Sequence, residues 1–282
     1  MTGAPFAVMG ILNVTPDSFS DGGAFLDPVA AIDQGQALVA DGADLIDVGG
    51  ESTRPGAPPV PADEERRRVE PVIAALAGAG VTVSVDTSKA SVARAALDAG
   101  AAYVNDVTAF RGDPEMARLV AERGVTCCLM HMLGDPRTMQ DDPRYGDVVA
   151  DVKSFLEERL AAAVAAGVAE ERVHLDPGIG FGKTVDHNLE LLRRLDELAA
   201  LGRPLVIGTS RKSFLGHVTG REVEDRLAGT IATNVLALER GARIFRVHDV
   251  GPVRDALAVA AATVRGAWSA ETSSTTTMST TR

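Results

Sequence analysis

Short, continuous apolar runs alternate along the chain with longer segments rich in alanine. The apolar runs are four to seven residues long and contain many β-branched residues, which is typical of strands buried on both faces of a parallel sheet. Eight strands are predicted on this basis: Ala7–Asn13, Asp44–Val48, Val81–Asp86, Ala102–Asp106, Val125–His131, Val173–Asp176, Pro204–Gly208 and Arg243–Val247.

The segments between these runs repeat apolar residues with the period of an amphipathic helix. A glycine follows many of them, as expected where a helix ends in a left-handed residue. The pattern predicts helices at Val29–Val39, Asp63–Ala77, Ser91–Ala99, Pro114–Glu122, Asp147–Ala166, His187–Ala200, Asp225–Arg240 and Pro252–Ala267.

The alternation of strands and helices determines the expected fold class. The strands begin roughly 34 residues apart, the length of one strand–helix unit, and eight such units predict an α/β fold of the (β/α)8 TIM-barrel type. A doubly wound open sheet is the alternative. That fold usually carries a glycine fingerprint after its first strand, whereas the first strand here leads into Asn13-Val14-Thr15-Pro16-Asp17.

Composition limits the expected folded domain. Of the fourteen residues from Ser269 to Arg282, ten are serine or threonine and none is a large aliphatic residue. Such a segment cannot bury enough apolar surface to fold. We therefore expect a single barrel domain over 1–268 and a disordered tail over 269–282.

Charge and hydropathy argue against several classes of partner. The net charge of −11 disfavours a nucleic acid, which would require a basic face. No apolar run reaches the ~18 residues that span a membrane, and the first residues lack the features of a signal peptide. A disulfide between the adjacent Cys127 and Cys128 would be strained, so we expect two buried thiols in a reducing cytoplasm.

Polar side chains stand at the predicted ends of all eight strands, where a barrel builds its active site. Helix capping accounts for Asp, Asn and Thr at such positions, but it gives no reason for lysine, arginine or histidine. These residues are Asn13, Asp47, Asp86, Asn105, Asp106, His131, Asp176, Thr209–Lys212, Arg246 and His248.

The strand-end residues form two chemical sets. The side chains of Asp86, Asn105 and Asp176 suit a planar, donor-rich heterocycle, because two parallel N–H groups can bind one carboxylate. Lys212 and Arg246 follow strands seven and eight, where barrels often bind phosphate, and arginine can bind phosphate oxygens with a fork of donors. The pattern predicts a heterocycle bound beside a phosphate group.

Two long segments rich in glycine and proline, Val14–Pro28 and Gly49–Ala62, follow the first two strands. Both exceed the usual length of a βα loop, and loops of this kind often bind or cover a ligand. A disordered insertion is the alternative, but it fits poorly because both segments are dense in hydrogen-bonding residues.

Eight motifs carry these features, in the order MGILNVTPDSFSDGG (Met9–Gly23), DVGGESTRPGA (Asp47–Ala57), VSVDTSKASVA (Val83–Ala93), NDV (Asn105–Val107), LMHMLGDPRTMQ (Leu129–Gln140), LDPGIGFGKT (Leu175–Thr184), GTSRKSF (Gly208–Phe214) and FRVHDV (Phe245–Val250). With them the chain resembles the dihydropteroate synthases of the pterin-binding family. The resemblance covers almost the whole chain apart from the tail.

The resemblance implies a transferase of folate biosynthesis. Such an enzyme joins 6-hydroxymethyl-7,8-dihydropterin pyrophosphate to 4-aminobenzoate, and it is a sulfonamide target. Loss of pyrophosphate leaves a pterin cation, which the amine then attacks. The resemblance also implies a homodimer, and we expect its contacts on Arg221–Arg240 and Pro252–Trp268.

The resemblance further assigns roles to individual residues. Catalysis is expected to involve Asp21, Lys212 and Asn13, with Asp21 near the reacting methylene and Mg²⁺ bridging Asn13 and the leaving group. The pterin ring is expected to contact Asp86, Asn105, Asp176 and Lys212. Pyrophosphate is expected to contact Asn13, Arg246 and His248. The 4-aminobenzoate pocket is expected to comprise Thr53, Arg54, Pro55, Phe181, Lys212 and Ser213.

Some positions and functions are left open. Thr108-Ala109-Phe110 follows the NDV motif, where family members often have a Gly-Gly turn. Phe110 either lies over the pocket or packs in the protein, and we expect packing. His131 is expected to be structural, and Arg211 lies either at the phosphate corner or on the solvated surface. A methyltetrahydrofolate methyltransferase and a non-catalytic pterin-binding paralogue are the alternative functions, although neither explains both the basic residues and the long loops.

Overall fold

Eight parallel strands, each followed by one or more helices, make up the described chain of the computed structural model, which comprises residues 5–15, 28–53, 56–135 and 137–265. The strands are β1 Ala7–Asn13, β2 Leu45–Gly49, β3 Val83–Asp86, β4 Tyr103–Asp106, β5 Thr126–Met130, β6 Val173–Asp176, β7 Val206–Ile207 and β8 Ile244–Val247. The helices are α1 Pro28–Ala40, α2 Ala62–Gly78, α3 Ala90–Asp98, α4 Met116–Arg123, α5 Val148–Ala165, α6 Val185–Arg193, α7 Leu195–Ala199, α8 Ser213–Thr219, α9 Leu227–Glu239 and α10 Val250–Arg265.

The sheet closes on itself. Strands pair in the order β6-β5-β4-β3-β2-β1-β8-β7, and all of these pairings are parallel. A parallel bridge between Leu175 and Leu205 joins β6 to the segment before β7, where the Leu175 amide donates to the Pro204 carbonyl at 3.0 Å. The predicted (β/α)8 barrel is therefore confirmed, and the open doubly wound sheet is wrong.

The structure differs from the sequence prediction mainly after β6. The helix predicted over His187–Ala200 is two helices that meet at Arg194, whose side chain pairs with Asp147 and Glu197. Helix α8 is absent from the prediction, because seven residues are too few to show a helical period.

Among the helices of the described chain, none combines the length and the apolar composition that a membrane span requires.

The interior of the barrel is apolar at its lower end and polar above. Met9, Tyr103, Cys128 and Ile244 belong to a buried cluster contributed by different strands. Both cysteines are free and buried, as expected. The lower part of the barrel is thus a packed core. The polar residues lie closer to the carboxyl ends of the strands, at the mouth of the barrel, where barrel active sites lie.

The turn after β4 places two residues that are not glycine in the left-handed region. Ala109 has a φ of 52° and Phe110 a φ of 63°, at the positions where the sequence lacks the family's glycines. The Asp106 carboxylate stabilises this turn by accepting from the amide of Thr108 at 2.7 Å and that of Phe110 at 2.9 Å. Phe110 is buried in the main core, so the packing role predicted for it is confirmed.

Replacement of Ala109 by glycine should change the free energy of unfolding by less than about 1 kcal/mol. Relief of left-handed strain, ~1–2 kcal/mol, offsets the lost methyl burial of ~0.8 kcal/mol and the backbone entropy of glycine. Ala93→Gly, at an equally buried site within α3, gains no such relief and should cost about 2 kcal/mol. Urea unfolding measures both variants, and equal losses would contradict strain at Ala109.

Candidate active site

Arg246 on β8 forms a double ion pair inside the upper barrel. Its Nε donates to Asp47 Oδ2 at 2.6 Å and its Nη2 donates to Asp86 Oδ2 at 2.7 Å. The Asp47 side chain is fully buried, and that of Asp86 is nearly so. Since Nη1 makes neither bond, it can still donate to an anionic ligand at the mouth.

The buried Asp47 carboxylate has further donors around it. Ser84 Oγ donates to Asp47 Oδ1 at 2.5 Å, and Asn105 Nδ2 donates to Asp47 Oδ2 at 2.9 Å. Together with Arg246, these side chains connect β2, β3, β4 and β8. The bond to Asp47 also orients the Asn105 amide, because it directs Nδ2 inward and leaves Oδ1 for a donor on a ligand.

Burial dominates the protonation equilibria of the site. It raises the pKa of Asp86 to about 7, against the attraction of Arg246 and together with the repulsion of Asp47. Burial also raises the pKa of Asp176. For Arg246, burial acts to lower the pKa, but the two carboxylates raise it above its usual value, so the guanidinium stays charged.

Asp176 and Lys212 face the mouth across a glycine-rich loop. Asp176 Oδ1 accepts from the Gly178 amide at 2.7 Å. Lys212 lies against Gly180, and its Nζ is 4.0 Å from the centre of the Phe181 ring, a distance at which the ring face attracts a cation. Burial and then the nearby Arg246 lower the pKa of Lys212 to about 8.

The loop after β6 can approach the site only because it contains glycine. Gly178 and Gly180 have φ angles of 66° and 82°. A Cβ on Gly178 would lie 1.8 Å from the carbonyl oxygen of His131. Glycine at these two positions therefore allows close backbone turns that a side chain would block.

Ser210 and His248, which follow β7 and β8, are joined by two hydrogen bonds. The His248 amide donates to Ser210 Oγ at 3.2 Å, and Ser210 Oγ lies 3.0 Å from His248 Nδ1. When the hydroxyl donates its own proton to Nδ1, the imidazole proton lies on Nε2. Burial and then Arg246 lower the pKa of His248 to about 3, so this side chain is a neutral donor and not a cation.

Arg211 is part of the scaffold of this corner. Its guanidinium binds Asp249 through two bonds of 3.0 and 2.6 Å, and its φ of 58° is left-handed. The Arg211 carbonyl accepts from Arg226 Nη1 at 3.1 Å. The Arg211 side chain is thus a partly exposed, paired residue of this corner, and phosphate binding by it stays a prediction.

The described part of the second long segment is anchored to α2 and α3. Lys89 pairs with Glu51 and with the buried Glu65, while Arg68 Nη1 donates to the Gly50 carbonyl at 2.8 Å. Burial raises the pKa of Glu65. Beside this anchor lies a cavity of about 250 Å³, whose lining includes Glu51, Ser52, Thr53, Asp86, Thr87, Val107, Thr108, Asp135 and Arg137.

Some of the remaining expected site residues lie within the described part of the chain and others lie outside it. Asn13 ends β1 in register with Gly49 of β2, and Ser213 begins α8 next to Lys212. Asp21, Arg54, Pro55 and the tail 269–282 lie outside the described residues. The structure thus brings Asp86, Asn105, Asp176, Lys212, Arg246, His248, Phe181 and Thr53 to the mouth of one barrel.

Comparisons with known proteins agree with this geometry. The model for pterin-binding enzymes matches residues 9–248. The dihydropteroate synthase of Mycobacterium leprae is 48% identical over 275 residues, which are 95% of each chain. A probable bifunctional folylpolyglutamate synthase/dihydropteroate synthase of Haloferax volcanii is 54% identical over 244 residues; these are 86% of this chain but only 29% of that protein.

The chain belongs to the dihydropteroate synthase family. Two solved structures of such synthases are also similar. The Xanthomonas albilineans enzyme with 4-aminobenzoic acid has a TM-score of 0.85 at 51% identity and covers 90% of this chain and 91% of its own. The Yersinia pestis enzyme in a sulfonamide complex has a TM-score of 0.89 at 44% identity, with coverage of 95% and 98%.

Sequence reasoning missed three residues that organise this synthase. Asp47 was placed at a strand end but given no role, although a carboxylate within the apolar run Leu45–Gly49 needs a buried partner. Ser210 is included in the strand-end range Thr209–Lys212 without a role, and Lys183 is quoted only as part of a motif. Lys212 lies close to Ser210 in the sequence, and the role of His131, the partner of Lys183, is left open there. Neither signal shows which atoms are in contact in the fold.

Asp47→Asn should lower the free energy of unfolding by about 3 kcal/mol, because it leaves the half-buried Arg246 with one carboxylate fewer. Asp63→Asn is the matched control, since Asp63 is 87% exposed and 3.9 Å from Arg66; its effect should stay below about 0.5 kcal/mol. Urea unfolding gives both values. Losses of similar size in the two variants would contradict a structural role for the buried pair.

Proposed function

We propose that the chain transfers the dihydropterin ring with its 6-methylene carbon from 6-hydroxymethyl-7,8-dihydropterin pyrophosphate to the amine of 4-aminobenzoate, releasing pyrophosphate and 7,8-dihydropteroate. One observation carries the proposal: buried carboxylates, a charged arginine, a half-buried lysine and a neutral histidine donor converge on one barrel mouth. The 4-aminobenzoic acid bound to the similar Xanthomonas enzyme supports the choice of the second substrate.

The pterin ring would bind to Asp86, Asn105, Asp176 and Lys212. Asp176 accepts from Gly178 through Oδ1, so Oδ2 is suited to the amino-pyrimidine edge of the ring. Asp86 uses Oδ2 for Arg246, which leaves Oδ1 for a second N–H group. The carboxylates thus match the donors of the heterocycle with atoms that their structural bonds do not use.

The leaving pyrophosphate would bind at Arg246, His248 and Asn13. Arg246 contributes the fixed positive charge, and His248 contributes a neutral N–H donor from Nε2. Donors held in place before the reaction stabilise charge that develops on the leaving group. This stabilisation favours departure of pyrophosphate and formation of a delocalised pterin cation.

A magnesium ion fits this corner as a partner of the substrate. Within the described ranges, no three His, Cys, Asp or Glu side chains form a metal cage. Mg²⁺ commonly uses one or two protein oxygens and completes its shell with water and phosphate oxygens, so Asn13 Oδ1 together with pyrophosphate suits it. The ion would neutralise negative charge on the leaving group.

The 4-aminobenzoate pocket would form from Thr53, Phe181, Lys212 and Ser213, with Arg54 and Pro55 beside them. Lys212 touches the Phe181 ring and would also face the pterin, so it lies between the two substrates. An arylamine is a modest nucleophile, and positioning is therefore a large part of the rate enhancement. Asp21 would stabilise the pterin cation from the first long segment.

We also propose a homodimer in the cytoplasm. Exposed apolar side chains on α9 and α10 support a self-association surface, among them Leu236, Val259 and Val264. The two buried free thiols are compatible with a reducing compartment. The tail 269–282 remains a predicted disordered segment of the otherwise single-domain chain.

A pyrophosphate-release assay tests the proposed reaction. Release is expected only when pterin pyrophosphate, 4-aminobenzoate and Mg²⁺ are all present, and a sulfonamide should compete with 4-aminobenzoate. Lys212→Ala and Asp176→Ala should each reduce turnover below detection, because they remove groups between or beneath the substrates. Lys153→Ala, on α5 and outside the site, is the matched control and should retain activity.

Absence of release under complete conditions would refute the proposal. Pterin binding by calorimetry without any release would instead favour the non-catalytic paralogue. Near-normal turnover in the Lys212 or Asp176 variant would contradict the roles assigned to those residues. The methyltransferase alternative predicts that neither pyrophosphate nor 4-aminobenzoate is involved in turnover.

A further inference from the structure

A buried lysine beneath the site has no part in the reaction described above. Lys183 is 3% exposed, and its Nζ lies 2.9 Å from His131 Nδ1 and 3.0 Å from the Phe181 carbonyl oxygen. Burial and then the positive charge of Lys183 lower the pKa of His131 to about 3. The imidazole is therefore neutral, and its Nδ1 accepts a hydrogen bond from Lys183.

Lys183 belongs to a set of side chains that bind three consecutive carbonyls of the loop after β6. Gln140 Nε2 donates to the Gly180 carbonyl at 2.6 Å, Lys183 to that of Phe181, and the Tyr145 hydroxyl to that of Gly182 at 2.7 Å. Of these donors, Lys183 is the one that is nearly inaccessible to solvent. Phe181 is thus bound at its carbonyl by Lys183, and its ring contacts Lys212.

We propose that Lys183 is a positioning residue: by bridging His131 and the Phe181 carbonyl, it fixes the Phe181 ring against Lys212 and so shapes the pocket for the carboxylated arylamine. The inference rests on the proposed role of Phe181 in the 4-aminobenzoate pocket. Both the ammonium and the neutral amine carry at least two N–H donors, so the bridge persists in either protonation state. Burial lowers the pKa of Lys183 to about 7.

His131 is the rigid base of this bridge. Its ring packs edge-on against Phe155 with centroids 4.8 Å apart, and its backbone amide donates to the Asp176 carbonyl at 2.9 Å. Lys183 thereby connects the end of β5 to the loop after β6. A misplaced Phe181 ring would weaken arylamine binding much more than pterin binding, because three of the four expected pterin contacts, Asp86, Asn105 and Asp176, lie on β3, β4 and β6.

Steady-state kinetics of the full-length protein test this inference. Lys183→Met removes the donors and should raise the KM for 4-aminobenzoate about tenfold, the effect of one lost buried hydrogen bond, with less than a twofold change in the KM for pterin pyrophosphate. Lys153→Met is the matched control and should leave both KM values unchanged. In a Phe181→Ala background, Lys183→Met should add no further increase, because its effect is transmitted through that ring.

A second variant covers the case in which Lys183→Met does not fold. His131→Phe keeps the ring contact with Phe155 but removes the acceptor of Lys183, and it should raise the same KM in the same direction. An unchanged KM for 4-aminobenzoate in the folded variants would overturn the inference. Equal increases in the presence and absence of the Phe181 ring would also overturn it, since they indicate general destabilisation.

Failure of the inference can be told apart from failure of the proposed function. Wild-type protein that releases no pyrophosphate refutes the function itself. An active protein whose Phe181→Ala variant keeps the wild-type KM refutes the arylamine pocket and this inference with it. An active protein in which Phe181→Ala raises the KM but Lys183→Met does not refutes the role of Lys183 alone.

Discussion

The pairing of Arg246 with two buried carboxylates is the interaction on which the upper barrel depends. A charge placed in a barrel interior is strongly unfavourable unless opposite charges and hydrogen bonds surround it. Asp47 meets that requirement for Arg246, and Ser84 and Asn105 complete the shell of Asp47. The bonds of Asn105 to Asp47 and of Arg246 to Asp86 fix the orientation of Asn105 and Asp86. The ion pairs inside the barrel therefore determine how these two side chains would face the pterin.

The net charge of −11 does not describe the charges inside the site. Of the basic residues predicted at the phosphate corner, Arg211 is paired with Asp249 and His248 is a neutral imidazole. In the proposed reaction, the positive charge near the pyrophosphate would therefore come from Arg246 and Lys212. The proposed anion site would depend less on an excess of cations than on donors that their other hydrogen bonds hold in a fixed direction.

Periodicity in the sequence is sufficient to predict the barrel, because eight apolar runs at strand spacing have few ways to pack. It fails where an element is too short to be periodic, as for α8, or where one residue with non-helical backbone angles divides a helix, as at Arg194. The strand-end rule finds Asp86, Asn105, Asp176 and Arg246, since position along a strand determines the end of the barrel. It includes Asp47 but cannot assign its partners, and it does not find Lys183, because both roles depend on contacts between residues far apart in the chain.

We expect Arg246 to bind the leaving pyrophosphate while it remains paired with Asp47. A crystal structure with bound pterin pyrophosphate would show this directly. Arg246 Nε should stay within about 3 Å of the Asp47 carboxylate, a normal hydrogen-bond distance, while Nη1 donates to a pyrophosphate oxygen. An Arg246 side chain turned away from Asp47, or a pyrophosphate bound out of its reach, would contradict the account.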